Sequence, residues 1–140
     1  MERAKVLHFE DNEFWQQKVA EALESSGHEV VGVANDYPEA EDNLVKLAKG
    51  LHAANVVLMN SQLRGGNFMN HPQTIAADIK RKKIDIPVIG LSQRGLALRG
   101  LVLGRDMDAD ILKSDFLLDS DILRAELDEL PEPKPHRHNW

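Results

Sequence analysis

Five polar residues each stand at the end of an apolar run, and their side chains have complementary chemistry. In chain order they are Glu10, Asp11, Asn60, Ser92 and Lys113. In an open parallel sheet the ligand site lies beyond the carboxyl ends of the strands, so these ends are expected to meet at one edge. Carboxylate and amide oxygens suit a hard cation such as Mg²⁺, whereas a hydroxyl and an ammonium group suit phosphoryl oxygens. The set therefore predicts a magnesium and phosphoryl site at that edge.

The strands expected to hold these side chains are short apolar runs separated by helical patterns. The runs occupy residues 5–12, 29–34, 54–60, 86–92 and 108–113. Strands that alternate with helices along a chain form a parallel sheet covered on both faces. We therefore predict an α/β fold with a doubly wound sheet of five parallel strands in a (βα)5 arrangement.

Cap residues and apolar faces place the helices between the strands. The first helix begins near Asn12, and the second opens at Asp36. A third covers about 72–83, and the last runs from about 116 to 130. The residues expected to share the apolar faces of the first, second and last helices are Trp15, Val19, Ala22, Leu23, Leu44, Leu47, Ala48, Leu51, Leu118, Ile122, Leu123 and Leu127.

Residues 94–105 are the least regular part of the predicted fold. Their leucines supply ample apolar surface for a helix, but Gly95, Gly100 and Gly104 each weaken a helix by about 1 kcal/mol relative to alanine. We predict a labile fourth helix whose apolar character exceeds what one buried stripe needs, and hence a contact surface. That surface contains Leu98, Arg99, Leu101, Val102 and Leu103.

Taken together, these strand ends resemble the receiver domain of two-component response regulators. The resemblance covers roughly residues 4–129 and rests on several positions, which makes it firmer than any single motif. In that family an aspartate at the end of the third strand accepts a phosphoryl group from a kinase histidine. The resemblance implies a receiver-like, flavodoxin-like fold, with Glu10 and Asp11 as the magnesium-holding acids and with Ser92 and Lys113 as the phosphate contacts.

Asn60 occupies the position of the family's phosphoacceptor aspartate. A carboxylate can attack phosphorus, whereas a neutral carboxamide is a poor nucleophile. The resemblance therefore implies a degenerate member, a pseudo-receiver. Glu10, Asp11 and Lys113 leave the site with a net charge of −1 where the family's pattern has −2, so Mg²⁺ is expected to bind weakly or not at all. We predict no other cofactor.

Three further departures from the family's pattern accompany Asn60. Arg64 stands where proline is usual, and its guanidinium is predicted to reach Glu10 or Asp11 and to replace the cation. Asp110 takes the place of the switch aromatic, and Ser114 that of the proline after the lysine. Such joint changes favour loss of the phosphorylation mechanism with retention of the fold.

Composition limits the remaining function classes. A chain of 140 residues with a net charge of −6 fits one domain and argues against a nucleic-acid binder. We place the domain at residues 1–130 and predict a disordered, proline-rich tail at 131–140. The absence of cysteine excludes disulfides and thiol chemistry and indicates nothing about compartment. No apolar run reaches membrane-spanning length, which favours a soluble cytoplasmic protein.

We therefore predict a phosphorylation-independent, receiver-like signalling module of a two-component pathway or phosphorelay, and not an enzyme. It is expected to bind a protein partner, or a second copy of itself, through the face made by the fourth helix, fifth strand and fifth helix. One alternative is a genuine phospho-accepting regulator carrying an Asp-to-Asn change at position 60. Another is a small flavodoxin-like enzyme or nucleotide binder, although no phosphate-binding glycine loop or catalytic Ser-His-Asp set is present in the sequence.

Overall fold

A computed structural model describes residues 1–65 and 71–133 of the chain. Its five strands form one sheet in the order β2-β1-β3-β4-β5, and every neighbouring pair is parallel. The strands are β1 (Lys5–Phe9), β2 (Glu29–Ala34), β3 (Val56–Met59), β4 (Val88–Ser92) and β5 (Ala109–Leu112). The helices are α1 (Glu13–Leu23), α2 (Tyr37–Ala48), α3 (His71–Arg81), α4 (Lys113–Leu118) and α5 (Asp121–Glu129). The predicted doubly wound α/β fold is confirmed.

Two apolar cores lie on opposite faces of the sheet, because successive strand residues point to opposite sides. Val6 of β1 belongs to the core beneath α1, α4 and α5, whereas Leu7 belongs to the core beneath α2 and α3. The first core contains Trp15, Val19, Leu23, Phe116, Leu123 and Leu127; the second contains Ala40, Leu44, Ile75, Ile79 and Leu96.

Local side-chain contacts start the first two helices where the sequence predicts. The Asn12 side chain accepts the Phe14 amide at 2.9 Å, and Asp36 Oδ1 accepts the Glu39 amide at 2.8 Å. Each bond satisfies an amide that has no partner within its own helix. The structure thus confirms the predicted starts of α1 and α2.

The predicted fourth helix at 94–105 is wrong. Only Leu96–Arg99 forms a single 3₁₀ turn, and Gly100 ends it in the left-handed conformation with φ of 87°. A glycine adopts this conformation without the steric penalty of a Cβ, so the chain reverses here instead of continuing as a helix. Leu101 then points into the second core with only 3% of its surface exposed.

The predicted single last helix is also wrong, because it is divided at Asp119 and Ser120. Asp119 has an extended backbone, and its carboxylate accepts the amide of Asp121, the first residue of α5. This local capping interaction competes with helix continuation. The break leaves Leu118 88% exposed instead of facing the sheet.

Leu51 and residues 131–133 both lie beyond the end of a helix. Leu51, predicted on the apolar face of the second helix, lies beyond the end of α2 and is 72% exposed. Pro131, Glu132 and Pro133 are in neither helix nor strand, and the rest of the predicted disordered tail lies outside the described residues. Within the part of the chain that is described, no helix is long and apolar enough to cross a membrane.

Candidate functional site

Strand register brings the predicted site residues to one edge of the sheet. Phe9 pairs with Met59, so Glu10 and Asn60 follow neighbouring strand ends. Ser92 pairs with Leu112, the residue before Lys113. The site is therefore built on the carboxyl ends of β1, β3, β4 and β5, as the sheet-edge argument requires.

A buried ion pair forms the centre of the site. Lys113 Nζ lies 2.6 Å from Glu10 Oε1, and both side chains are almost fully buried. The other carboxylate oxygen of Glu10 accepts the Asn12 amide at 3.1 Å. Burial raises the pKa of Glu10, while the Lys113 ammonium acts in the opposite direction. A buried charge is tolerated when it is paired in this way, so Lys113 supplies the positive charge that Glu10 needs.

The carboxamide of Asn60 uses both of its polar ends. Its Nδ2 donates to Glu10 Oε2 at 3.0 Å and to the Gln62 carbonyl at 3.1 Å. Its Oδ1 accepts the Ser61 amide at 2.8 Å and the Lys113 ammonium at 3.3 Å. Since Nδ2 faces two acceptors, this position requires a donor that a carboxylate does not have.

Trp15 and His8 extend the site into the first core. The Lys113 ammonium lies 4.8 Å from the centroid of the Trp15 ring, a cation–π distance. His8 is fully buried, and neither of its ring nitrogens has a hydrogen-bond partner among the described residues. Burial, assisted by the Lys113 charge, lowers the pKa of His8 to about 3. The sequence predicts Trp15 on an apolar helix face and does not single out His8 as a site residue. The alternation of His8 with Leu7 along β1, on the same side as Val6, is the signal that indicates its burial.

Arg64 lies at the rim of the site. Its guanidinium donates to the Asp11 backbone carbonyl at 2.9 Å, and its Nε lies 4.0 Å from the Asp11 carboxylate. The Arg64 side chain is 73% exposed. Arg64 was predicted to reach Glu10 or Asp11, and in the structure it contacts Asp11. The charge of Glu10 is neutralised by Lys113 and not by Arg64.

The side chains of Ser92 and Asp110 both accept hydrogen bonds from backbone amides of the loop after β4. Ser92 is fully buried, and its Oγ accepts the Gly95 amide at 2.9 Å. Asp110 accepts the amides of Leu96 and Ala97 at 2.9 and 3.1 Å. Asp110, which the resemblance predicts at the switch-aromatic position, thus holds a backbone turn.

The donor set does not suit a divalent cation in this arrangement. One Glu10 oxygen faces Lys113 and the other faces the Asn60 and Asn12 N–H groups. Mg²⁺ needs oxygen ligands in near-octahedral geometry. Across residues 1–65 and 71–133, no group of three or more His, Asp or Glu side chains is placed to hold a metal ion.

The predicted contact surface is only partly exposed. Leu98 is 72% exposed, and Arg99, Val102 and Leu103 are also exposed. Leu101 was predicted to belong to this surface, which is wrong because it is buried. Leu117 and Leu118 of α4 are exposed as well.

The fold matches solved receiver domains closely. The receiver domain of HemR from Leptospira biflexa is 27% identical, with a TM-score of 0.66, and the match covers 94% of this chain and 99% of that one. The isolated receiver domain of RcsB from Salmonella enterica serovar Typhimurium is 23% identical, with a TM-score of 0.72 and coverage of 95% and 94%. That of the response regulator NarL from Mycobacterium tuberculosis is 22% identical, with a TM-score of 0.66 and coverage of 91% and 96%.

Longer proteins are matched over one part only. One such match is a structure of the RcsB response regulator that concerns its conformational dynamism for DNA interaction, and the match covers 62% of the RcsB chain. No family model and no curated protein matches the sequence. The structural matches show that the chain has the fold of response-regulator receiver domains.

Proposed function

We propose that the protein is a receiver-like module that acts by protein contact and is not switched by aspartyl phosphorylation. The observation that carries this proposal is the orientation of Asn60, whose Nδ2 donates to both Glu10 and Gln62. The site is organised around an amide. A carboxylate in the same position would place an oxygen against two acceptors, which is unfavourable without an added cation.

The charge of the site supports the same proposal. A phosphoryl-transfer site in a receiver needs a nucleophilic carboxylate and a metal to neutralise the transferred group. Here the nucleophile is replaced by Asn60, and the Lys113 ammonium is already paired with Glu10. The side chains that would bind a phosphoryl group and Mg²⁺ therefore bind one another. We propose accordingly that the module is not an enzyme and that it binds Mg²⁺ weakly or not at all.

A magnesium titration tests whether the pocket is closed in this way. Trp15 lies beside Lys113, so its fluorescence should report a change of the ion pair. The chain has two tryptophans, and Trp140→Phe leaves Trp15 as the only reporter. In that background we expect no saturable response to Mg²⁺, and a response when Asn60→Asp is added. A saturable response with Asn60 in place would contradict the closed pocket.

We propose that the working surface lies on the face formed by the 3₁₀ turn, β5 and the C-terminal helices. Its exposed apolar residues include Leu98 and Val102, with Arg94 and Arg99 nearby in the chain. Apolar residues surrounded by polar ones are typical of a protein contact. We propose a protein partner or a second copy of the chain there, in the cytoplasm, with neither nucleic acid nor membrane as a ligand.

Two matched leucines test this surface. Leu98 and Leu51 are both 72% exposed, but only Leu98 lies on the proposed face. We expect Leu98→Glu to abolish self-association, measured by sedimentation velocity, or retention of the physiological partner, whereas Leu51→Glu should change neither. Equal behaviour of the two folded variants would place the contact on another face.

A further inference from the structure

The 3₁₀ turn is fastened to the sheet by the side chain of Asp110. The two carboxylate oxygens of Asp110 accept two successive amides, those of Leu96 and Ala97. The preceding amide, from Gly95, donates to Ser92 Oγ. Three consecutive backbone N–H groups are thus satisfied by β4 and β5. Hydrogen bonds to an ionised acceptor are among the stronger ones in proteins.

Gly90 and Gly95 have no Cβ, which allows Asp110 and the turn to approach each other closely. A Cβ on Gly90 would lie 2.7 Å from Leu96 Cδ1 and 2.8 Å from Asp110 Oδ1. Gly95 has φ of 90°, and a Cβ there would lie 3.1 Å from Asp110 Oδ2. Real Cβ atoms do not approach other atoms to less than 3.0 Å. The close approach of Asp110 to the turn therefore depends on glycine at position 90.

Two buried leucines also hold the turn against the second core. Leu96 is fully buried in the second core, and Leu101 is buried just beyond Gly100. The Leu101 amide donates to the Leu96 carbonyl at 3.3 Å and closes the turn. Leu98, between these two anchors, is left in solvent.

The side-chain hydrogen bonds that Asp110 and Ser92 make to the turn involve none of the residues to which Asn60 is bonded. Asn60 makes its side-chain hydrogen bonds with Glu10, Ser61, Gln62 and Lys113. The hydroxyl of Ser92, the site residue next to the turn, is engaged by Gly95. Coupling between the turn and Asn60 would need a structural element with two conformations, whose equilibrium depends on the contacts at both sites. The hydrogen bonds of Asp110 and Ser92 and those of Asn60 instead form two separate networks.

We propose that Asp110 is a positioning residue that holds residues 95–100, and with them Leu98, in one conformation regardless of the group at position 60. This inference rests on the proposed function, since it specifies how a contact surface is kept ready without phosphorylation. It assigns to Asp110 a role opposite to that of a mobile switch.

Amide hydrogen exchange measured by NMR tests the positioning role. With Asp110→Ala we expect exchange at Leu96 and Ala97 to accelerate at least about tenfold, the size expected for losing a hydrogen bond to a charged acceptor. Asp110→Asn retains the shape and one acceptor oxygen, so only one of the two amides should be affected. Asp108→Ala is the matched control, because Asp108 accepts the Val88 amide at the other end of β5. Unchanged protection of Leu96 and Ala97 in both Asp110 variants would overturn the proposal.

The same measurement on Asn60→Asp, with Mg²⁺ and a small-molecule phosphodonor, tests the independence from position 60. We expect exchange at residues 95–100 to match that of the unmodified protein. A change of about tenfold or more there would show coupling and would overturn the inference. The proposed independence from aspartyl phosphorylation has a different readout, because it fails if the protein with Asn60 in place accepts a phosphoryl group.

Discussion

At the scale of single residues, the amide of Asn60 is linked to both members of the buried ion pair. Asn60 donates to Glu10, Glu10 pairs with Lys113, and Lys113 in turn donates to Asn60. The result is a closed ring of three side chains. Glu10 Oε2 accepts hydrogen bonds from Asn60 and from the Asn12 amide. Glu10 Oε1 has no hydrogen bond of good geometry among the described residues, but it lies 2.6 Å from the Lys113 ammonium, so the ion pair compensates its burial.

The first prediction concerns the charge at position 60. Asn60→Asp should lower the free energy of unfolding by about 1–3 kcal/mol in the presence of a chelator, because an oxygen then faces Glu10 Oε2 and the Gln62 carbonyl. Mg²⁺ should restore part of the loss in the variant and leave the parent unchanged. Urea unfolding with and without Mg²⁺ measures both effects. Equal stability of the two proteins in chelator would show that the amide is not required.

The second prediction concerns the buried His8. Its pKa is about 3 in the folded protein and 6.5 as the ordinary value, so between these pH values only the unfolded chain takes the proton. Burial of neutral His8 therefore leaves the free energy of unfolding unchanged above pH 6.5. As the pH falls from 6.5 toward 3, it lowers the free energy of unfolding by up to about 1.4 kcal/mol per pH unit. His8→Leu should remove this slope without loss of stability at pH 7.5, since the imidazole has no described hydrogen-bond partner. Parallel urea titrations between pH 4.5 and 7.5 provide the comparison, and identical slopes would contradict the assignment.

At the scale of secondary structure, local signals predicted some elements and missed others. The strands follow from short apolar runs, and the starts of α1 and α2 follow from the caps Asn12 and Asp36, which act within a few residues. The turn at Gly100 and the break at Asp119 were missed, because apolar spacing favoured one continuous helix over residues 94–105 and another over residues 116–130. In these two places backbone capping determined the structure.

The same limit applies to the site. Its members were predictable, because the ends of parallel strands meet at one edge, but their pairing was not. That Lys113 contacts Glu10 and Trp15 together depends on distances between elements far apart in the chain. The exposed position of Arg64 likewise follows from the path of the loop after β3, where its carbonyl accepts the Tyr37 amide.

The third prediction tests the break between α4 and α5. Leu118→Ala should change stability by no more than about 0.5 kcal/mol, because Leu118 is exposed. Leu123→Ala, at a fully buried position of α5, should cost about 2–5 kcal/mol. Chemical denaturation of the two variants gives both values. A large cost at Leu118 would indicate the continuous helix that the apolar spacing favoured.

At the scale of the whole molecule, the two ends of the domain differ in character. At the carboxyl ends of the strands lies the closed polar site. At the opposite end, His28 joins three elements: its Nδ1 accepts the Ala4 amide at 2.9 Å, and its Nε2 lies 2.7 Å from Asp128 of α5. The first ring nitrogen is an acceptor, so the second carries the proton and donates to Asp128. These contacts fasten α5 to the sheet.

The most direct test of the central claim is incubation with a small-molecule phosphodonor and Mg²⁺, followed by intact-mass analysis. We expect no base-labile phosphoryl adduct on the protein, because the Asn60 carboxamide is a poor nucleophile. Asn60→Asp provides the positive control and should acquire an adduct slowly, since Glu10 remains paired with Lys113. A base-labile adduct at substantial occupancy on the protein with Asn60 in place would contradict the account.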